Sequence, residues 1–205
     1  MKLSSALISG AMLAILGPAT ALQAQEVRYG VQIQWNIPMD DLKTFVDNRA
    51  GFGGGAHATI DFGGGNVLRP RLDYVVYPEN ANFLQPVFGA GATGKAKASH
   101  AALGIEYIYN FSGKADEGFY VSAGIGWHRW KADYDYVVKT GQVTVSNNAT
   151  ATSDRVGFSG GLGYNFNRNI GLEVRYLATK FEQGNGKQTV ELTAGQVQVA
   201  ALYRF

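Results

Sequence analysis

The chain has 205 residues, including 27 glycines, 11 tyrosines and 11 phenylalanines, and it contains no cysteine. Its formal net charge of +2 argues against a nucleic-acid-binding protein, because such proteins usually carry a basic patch or stripe. Without cysteine, neither a disulfide framework nor a lipoprotein anchor can form. The mean hydropathy of −0.09 is too low for a bundle of membrane helices.

The first 24 residues have the layout of a secretory signal peptide. Lys2 precedes an apolar run at residues 3–16, which is too short to span a membrane as a helix and is followed by a Gly-Pro breaker. Small residues then offer cleavage sites after Ala21 and after Ala24. We expect cleavage after Ala24, which makes 1–24 a signal peptide and 25–205 a single mature domain.

Period-two patterning predicts eight strands in the mature domain, each with one apolar and one polar face. The predicted strands are 27–38, 51–62, 67–78, 100–111, 118–130, 155–166, 170–181 and a terminal strand from about 188 to 205. The connections alternate between long ones and short turns rich in Gly, Asn and Ser. The short turns are 63–66, 112–117 and 167–169.

The charges of the strand centres share one face in every predicted strand, opposite the apolar face. They are Asp61, Arg69, Arg71, Asp73, Glu106, Glu173 and Arg175. A Lys or Arg facing lipid at the midplane costs roughly 2–4 kcal/mol, so this sorting is what a lipid-facing surface requires. A soluble lipocalin-like barrel would alternate too. Glycines and serines on the polar face and aromatic residues near strand ends favour the membrane barrel.

With its signal peptide, eight alternating strands and final Tyr203-Arg204-Phe205, the chain resembles the small outer-membrane β-barrel proteins of Gram-negative bacteria, the family of OmpA-type barrels, OmpX-like proteins and opacity proteins. The resemblance implies an all-β fold, an eight-stranded antiparallel up-and-down transmembrane β-barrel in the bacterial outer membrane. Its partners would be outer-membrane lipid and lipopolysaccharide. It also implies that the barrel-assembly machinery reads the terminal strand, with Tyr203 and Phe205 at the aromatic positions of that signal.

Inside such a barrel we expect an internal salt-bridge network. Its predicted members are Arg71, Asp73, Glu106, Glu173 and Arg175, with Asp61 as a further candidate. Buried charges persist only when they are paired and hydrogen-bonded. Since an eight-stranded barrel is just wide enough for side chains to fill, a packed polar core is favoured over a gated ion path.

Several apparent chemical motifs do not support an enzyme. The glycine pattern at residues 89–94 fits a dinucleotide fingerprint, but no helix pattern follows it. His57, His100 and His128 all fall on the polar face, without a ligand spacing or a supporting carboxylate for a metal. An outer-membrane lipid A deacylase would need a histidine, a serine and an orienting acid on the lipid-facing wall, whereas here the residues two positions after the histidines are Thr59, Ala102 and Trp130 and all three histidines face inward. The sequence therefore predicts no enzyme, no cofactor and no metal.

We interpret the chain as an integral outer-membrane barrel with a role in envelope structure. Residues 131–154 are expected to extend the barrel as a β-hairpin, and the surface loops are candidates for adhesion or for binding an extracellular ligand. The alternative is a small channel for hydrophobic or polar solutes.

Overall fold

The computed structural model of the chain describes residues 26–81, 92–140, 143–184 and 189–205. They form eight strands and one short helix: β1 (Val27–Pro38), α1 (Asp40–Phe45), β2 (Gly51–Asp61), β3 (Asn66–Val76), β4 (Ala92–Asn110), β5 (Gly118–Thr140), β6 (Val143–Asn165), β7 (Ile170–Gly184) and β8 (Thr189–Arg204). Each strand pairs antiparallel with the next, and β8 pairs with β1 to close the barrel. The predicted all-β, eight-stranded antiparallel barrel is confirmed. In the described part of the chain, helices fall short of the length and apolarity that crossing a membrane requires.

The two faces of the barrel wall are inverted relative to a soluble protein. Large apolar side chains point outward and stay exposed, as with Ile33 at 62% and Phe158 at 63%. Their polar neighbours in the same strands point inward and are buried, as with Gln34 at 2%. This sorting follows directly from the period of two, because successive side chains in a strand lie on opposite faces.

Three strands are much longer than the sequence pattern indicates. β4 begins at Ala92, β5 continues to Thr140, and β6 starts at Val143. The predicted strands were too short because their bounds were set by apolar residues on the outward face. The additional residues of these strands are mostly polar on that face. Pairing continues without a break to Thr140 and Val143, so the expected hairpin at residues 131–154 is present and belongs to the barrel strands.

The short turns lie together at the end of the barrel that holds Phe205, and glycine makes the first of them possible. Gly63, Gly64 and Gly65 have φ values of +83°, +61° and +82°, in the left-handed region that favours glycine. The side chain of Asp61 fixes the start of this turn, since its Oδ1 accepts a hydrogen bond from the Gly63 N–H at 2.8 Å. We call this the short-turn end and the opposite one the long-loop end.

The segment after β1 folds back into the long-loop end as a plug. Leu42, Phe45 and Val46 of this segment are almost fully buried there. They pack against inward apolar side chains of the wall, namely Val75, Tyr77, Ala96, Ala98, Trp130, Ala132 and Ala194. We call these three residues the plug. The sequence pattern identified this segment only as a loop, because a helix of six residues leaves too little periodicity to detect.

Hydrogen bonds fasten the plug segment to the wall. The Met39 N–H donates to the Gly195 carbonyl at 2.8 Å, and the Thr193 N–H donates to Asp41 Oδ2 at 2.8 Å. At the other end of the helix, Asn80 Nδ2 donates to the Phe45 carbonyl at 3.0 Å. The plug is therefore held by both β8 and the segment that follows β3.

We expect Leu42→Ala to lower the free energy of unfolding by about 2–5 kcal/mol, the usual cost of truncating a fully buried leucine. Urea titration of the protein folded into lipid vesicles measures this loss. Lys43→Ala is the matched control, because Lys43 is exposed on the same helix. Equal stability of the two variants would contradict a packed plug.

Candidate functional site

Three arginines and three carboxylates meet in the middle of the barrel. They are Arg69, Arg71 and Asp73 of β3, Glu106 of β4, and Glu173 and Arg175 of β7. All six are buried, with exposed fractions of 5% or less. Because β3 and β7 lie four strands apart in a closed ring of eight, their charges approach each other across the lumen. We call these six residues the lumen network; its formal charges cancel.

Arg71 contacts every carboxylate of the lumen network. Its Nε donates to Asp73 Oδ2 at 2.8 Å, and its Nη1 donates to Glu173 Oε1 at 2.9 Å. The same Nη1 lies 3.3 Å from Glu106 Oε2. A single guanidinium thus joins β3, β4 and β7, which the planar fork of arginine is well suited to do.

The other two arginines complete the pairing. Arg69 Nε donates to Glu106 Oε2 at 2.8 Å, and the same guanidinium pairs with Glu173. Arg175 pairs with Glu106 and reaches Asp73 Oδ2 at 3.2 Å. Each arginine therefore contacts at least two carboxylates, and each carboxylate at least two arginines.

Five of the six residues expected in this network do come together, and Asp61 does not. Asp61 lies beside the first short turn, where its carboxylate binds the Gly63 N–H. On β2 it is four residues beyond His57, which pairs with Arg71. The expectation that Asp61 joins the network is therefore wrong, because Asp61 occupies a different depth of the lumen.

Arg69 was missed as a network member, although it was placed on the polar face. The count of residues up from the periplasmic turns did not include it in the set at similar depth, but the β3–β4 register places Arg69 directly opposite Glu106. Charge balance is the signal that could have found it. Without Arg69, two arginines would face three buried carboxylates, and an unpaired buried charge is strongly destabilising.

Neutral polar side chains also donate hydrogen bonds to the carboxylates of the lumen network. Gln32 Nε2 donates to Asp73 Oδ1 at 2.8 Å, and Gln32 Oε1 lies 2.6 Å from His57 Nδ1. The Tyr120 hydroxyl donates to Glu173 Oε2 at 2.9 Å. His57 therefore supports the network through Gln32 and lies apart from the other two histidines.

A histidine pair lies between the lumen network and the plug. His100 Nε2 is 2.9 Å from His128 Nδ1, and the two rings stack with an angle of 7° between their planes. Trp130 stacks on His100 with ring centroids 4.3 Å apart. Gln196 joins this layer to Tyr77, a wall residue that packs against the plug, since it contacts His100 and accepts a hydrogen bond from the Tyr77 hydroxyl.

A small cavity lies within this packing. It has a volume of about 20 Å³ and is lined by residues of the lumen network and by His100 and His128. That volume holds about one water molecule. A solute larger than water would have to move side chains to enter this part of the lumen.

The outward apolar band of β5 and β6 ends at a charged row. Arg129 Nε and Nη2 donate to the two carboxylate oxygens of Asp154 at 2.8 and 3.0 Å. The same guanidinium lies 4.9 Å from the ring centroid of Trp127, the outward residue that precedes Arg129 on β5. The hydrogen bond from Arg129 lowers the pKa of Asp154; slight burial opposes this shift, while the charges of Arg129 and Arg155 add to it.

The comparisons with known proteins agree with this geometry. Residues 9–205 match the model of the family described as outer membrane protein beta-barrel domain. The chain belongs to this family of outer-membrane β-barrels. It is a protein of the bacterial outer membrane, and the resemblance drawn from the sequence is confirmed.

Solved structures are similar in fold. Ail, the attachment invasion locus protein of Yersinia pestis, crystallised in complex with the heparin analogue sucrose octasulfate, has a TM-score of 0.57 and 11% identity, covering 89% of this chain and 100% of that chain. A major outer membrane protein from Thermus thermophilus has a TM-score of 0.52 and 11% identity, covering 88% and 100%. At such identities the likeness concerns the fold alone. A comparison with curated proteins gives no match.

Family membership fixes the orientation of the barrel. Outer-membrane barrels place short turns in the periplasm and longer loops outside, so the plug and the β5–β6 hairpin are extracellular. Tyr203 and Phe205 lie at the periplasmic end, outward and exposed at 48% and 70%, with ring centroids 5.5 Å apart.

Removing one carboxylate should expose the dependence of the fold on the lumen network. Glu106→Ala leaves three buried arginines with two carboxylates, and we expect a loss of about 3–5 kcal/mol in the free energy of unfolding. Urea titration in lipid vesicles measures it. Glu117→Ala is the control, because Glu117 forms an exposed pair with Lys114. A Glu106→Ala variant as stable as the control would refute the network.

The pairing of Arg129 with Asp154 should be detectable by titration of the Asp154 carboxyl group. We expect Arg129→Gln to raise the pKa of Asp154 toward its ordinary value, as followed by NMR of the Asp154 carboxyl carbon. In the parent protein the pair stabilises the fold above the pKa of the unfolded carboxyl and loses this contribution as the pH falls through the lower folded value. The contribution is small because the pair is exposed. An unchanged pKa would show that Arg129 does not hold the carboxylate.

Proposed function

We propose that the protein is a closed, non-enzymatic outer-membrane barrel that stabilises the envelope and holds an extracellular β-sheet for interaction with a partner. The observation that carries this proposal is the double closure of the lumen. The lumen network fills the centre, and the plug of Leu42, Phe45 and Val46 fills the extracellular mouth. A conducting path would have to cross both layers.

The two layers resist opening for different physical reasons. Separating the arginines from the carboxylates of the lumen network would leave charges unpaired in a poorly hydrated interior, which is strongly unfavourable. Withdrawing the plug would expose apolar side chains to water. A fluctuation that weakens one layer leaves the other closed, so the geometry favours a structural barrel over a solute channel.

The extracellular part supports the interaction role. β5 continues eleven residues past Arg129, from residue 130 to Thr140, and β6 returns over the same height. At about 3.3 Å per residue this is roughly 35 Å of strand beyond the charged row. Its outward face carries both signs of charge, with Lys131 paired to Asp133 at 2.8 Å. A rigid sheet on a membrane anchor suits binding better than a flexible loop, because less ordering entropy is lost.

The remaining partners belong to the same proposal. The outward apolar residues would contact outer-membrane lipid, and the cations at the extracellular rim, such as Arg129, would lie near lipopolysaccharide phosphates. Tyr203 and Phe205 would be read by the barrel-assembly machinery during insertion. Residues 1–24 would be removed as a signal peptide, a segment outside the described residues.

Planar-bilayer recording tests the closed barrel against the channel alternative. We expect no steady openings from the refolded protein. A variant in which residues 40–46 are replaced by a Gly-Ser segment should also stay silent, because the lumen network remains. Steady openings of the unaltered protein would overturn the closed-lumen proposal and support a channel; openings of the variant alone would show that the plug is the only barrier.

A further inference from the structure

Arg204 differs from the other buried arginines of the barrel. Arg69, Arg71 and Arg175 belong to the lumen network, where each contacts at least two carboxylates. Arg204 lies on β8 at the short-turn end, is 5% exposed, and forms no ion pair with a carboxylate of the described residues. A buried charge without a counter-charge is strongly unfavourable, so this guanidinium requires a source of negative charge.

The side-chain partners of Arg204 are neutral. Its Nη2 donates to Asn165 Oδ1 at 2.7 Å and lies 3.5 Å from the Asn167 carbonyl oxygen. Its Nε is buried and has no hydrogen-bond partner among the described residues. An amide or a carbonyl group orients a guanidinium without neutralising it. The positive charge of Arg204 and its Nε–H donor therefore stay available to a ligand.

The surrounding backbone and side chains fix Arg204 in place. Its N–H donates to the Asn169 carbonyl oxygen at 2.7 Å, and its own carbonyl oxygen accepts from Asn169 Nδ2 at 2.8 Å. Asn165 is held in turn by Asn110 Oδ1, which accepts from Asn165 Nδ2 at 3.2 Å. Gly171 makes room for Asn165, since a methyl group there would lie 2.8 Å from Asn165 Oδ1. Arg204 is therefore preorganised, which lowers the entropy that binding costs.

Two acidic side chains at the same end of the barrel are engaged by other arginines. Asp116 Oδ2 accepts from Arg28 Nη1 at 3.0 Å. Glu26 pairs with Arg28 at 2.8 Å and also with Arg168. These carboxylates therefore neutralise Arg28 and Arg168 by direct contact, whereas Arg204 is left to a ligand.

The location of Arg204 indicates which ligand it can take. Arg204 faces the lumen, so the barrel wall separates its guanidinium from lipid phosphates outside. The lumen network fills the barrel between Arg204 and the extracellular mouth, so a ligand has to enter from the periplasm. Because so little of Arg204 is exposed, the packing favours a compact ion over a bulky one. Chloride meets these conditions, since it carries one negative charge and accepts hydrogen bonds from N–H donors.

We propose that Arg204 binds a chloride ion from the periplasm at the short-turn end of the lumen. The ion accepts the Nε–H of Arg204 and supplies the negative charge that carboxylates give to the arginines of the lumen network. It thereby stabilises the end of β8, the strand that closes the barrel against β1. This inference goes beyond the function proposed above, because neither the closed lumen nor the extracellular sheet requires it.

Urea titration of the full chain in phosphatidylcholine vesicles tests the site. The titration is run in sodium chloride and in sodium gluconate at equal concentration, because gluconate is too bulky for an enclosed site. We expect the equilibrium constant of unfolding to be at least fivefold smaller in chloride, which corresponds to chloride at about four times its dissociation constant. Equal stability in the two salts would overturn the proposal.

Two variants separate the site from a general salt effect. Arg204→Gln removes the charge and should abolish the difference between chloride and gluconate. Arg168→Gln is the matched control and should retain it, because the side chain of Arg168 is 62% exposed at the same end of the barrel. Retention of the chloride effect in Arg204→Gln would show that the ion acts elsewhere, and would refute the assignment. The heat-modifiable gel shift verifies that each variant is folded.

Bromide, which replaces chloride and scatters anomalously, locates the ion without a variant. In crystals of the unaltered protein soaked in bromide, we expect an anomalous peak in hydrogen-bond contact with Arg204 Nε. A water molecule there in place of bromide would overturn the proposal. Bromide at Arg204 without a chloride effect in the titration would mean binding at crystal concentration only, and would overturn it as well.

Discussion

The pairing of six buried charges across the lumen is the constraint on which the rest of the barrel depends. A barrel with an apolar exterior must place its polar side chains inside, and eight strands leave little room for water there. Arg71 and its neighbours therefore substitute for solvent. Each charge has at least two partners of opposite sign, which is the condition under which buried ions are tolerated. The network also joins β3 to β7, so it braces the wall across its diameter.

Closure of the sheet and sorting of the faces are two consequences of the same requirement. A lipid-exposed backbone needs every N–H and C=O group paired, and the β1–β8 ladder supplies the last set of bonds. The need to pair every backbone group ends at the charged row of Arg129 and Asp154. Beyond Arg129 water can satisfy backbone groups, so β4, β5 and β6 continue with polar outward residues, and the sheet there no longer has to form a closed ring.

This boundary explains which features the sequence could predict. Within the membrane, alternation is enforced on both faces, and β1 was predicted at Val27–Pro38 with its observed bounds. Outside it, one face is free to vary, so the ends of β5 and β6 were placed about ten residues short. The plug escaped detection because Leu42, Phe45 and Val46 are too few to show a period. Its burial depends on wall residues such as Trp130, which are distant in sequence.

In the candidate site, too, the sequence predicts what is local to a residue and misses what depends on distant parts of the barrel. Facing inward is a local property, and the sequence assigned it correctly to all six members of the lumen network. Depth in the lumen is not local, because it depends on strand stagger and on side-chain length. Asp61 and Arg69 show this: Asp61 belongs to the turn, while the stagger of β3 against β4 places Arg69 directly opposite Glu106. Charge neutrality of the interior would have corrected the second error.

Hydrogen bonds at the extracellular mouth of the barrel serve two purposes. At the extracellular mouth, the segments after β1 and β3 turn inward. Their backbone groups and the Asp41 side chain bind the edges of β8 and β4 while these segments position the plug. The same two segments therefore close the lumen and cover the strand edges. The β5–β6 hairpin contributes to the same closure through Trp130 and Ala132, whose inward side chains pack against the plug.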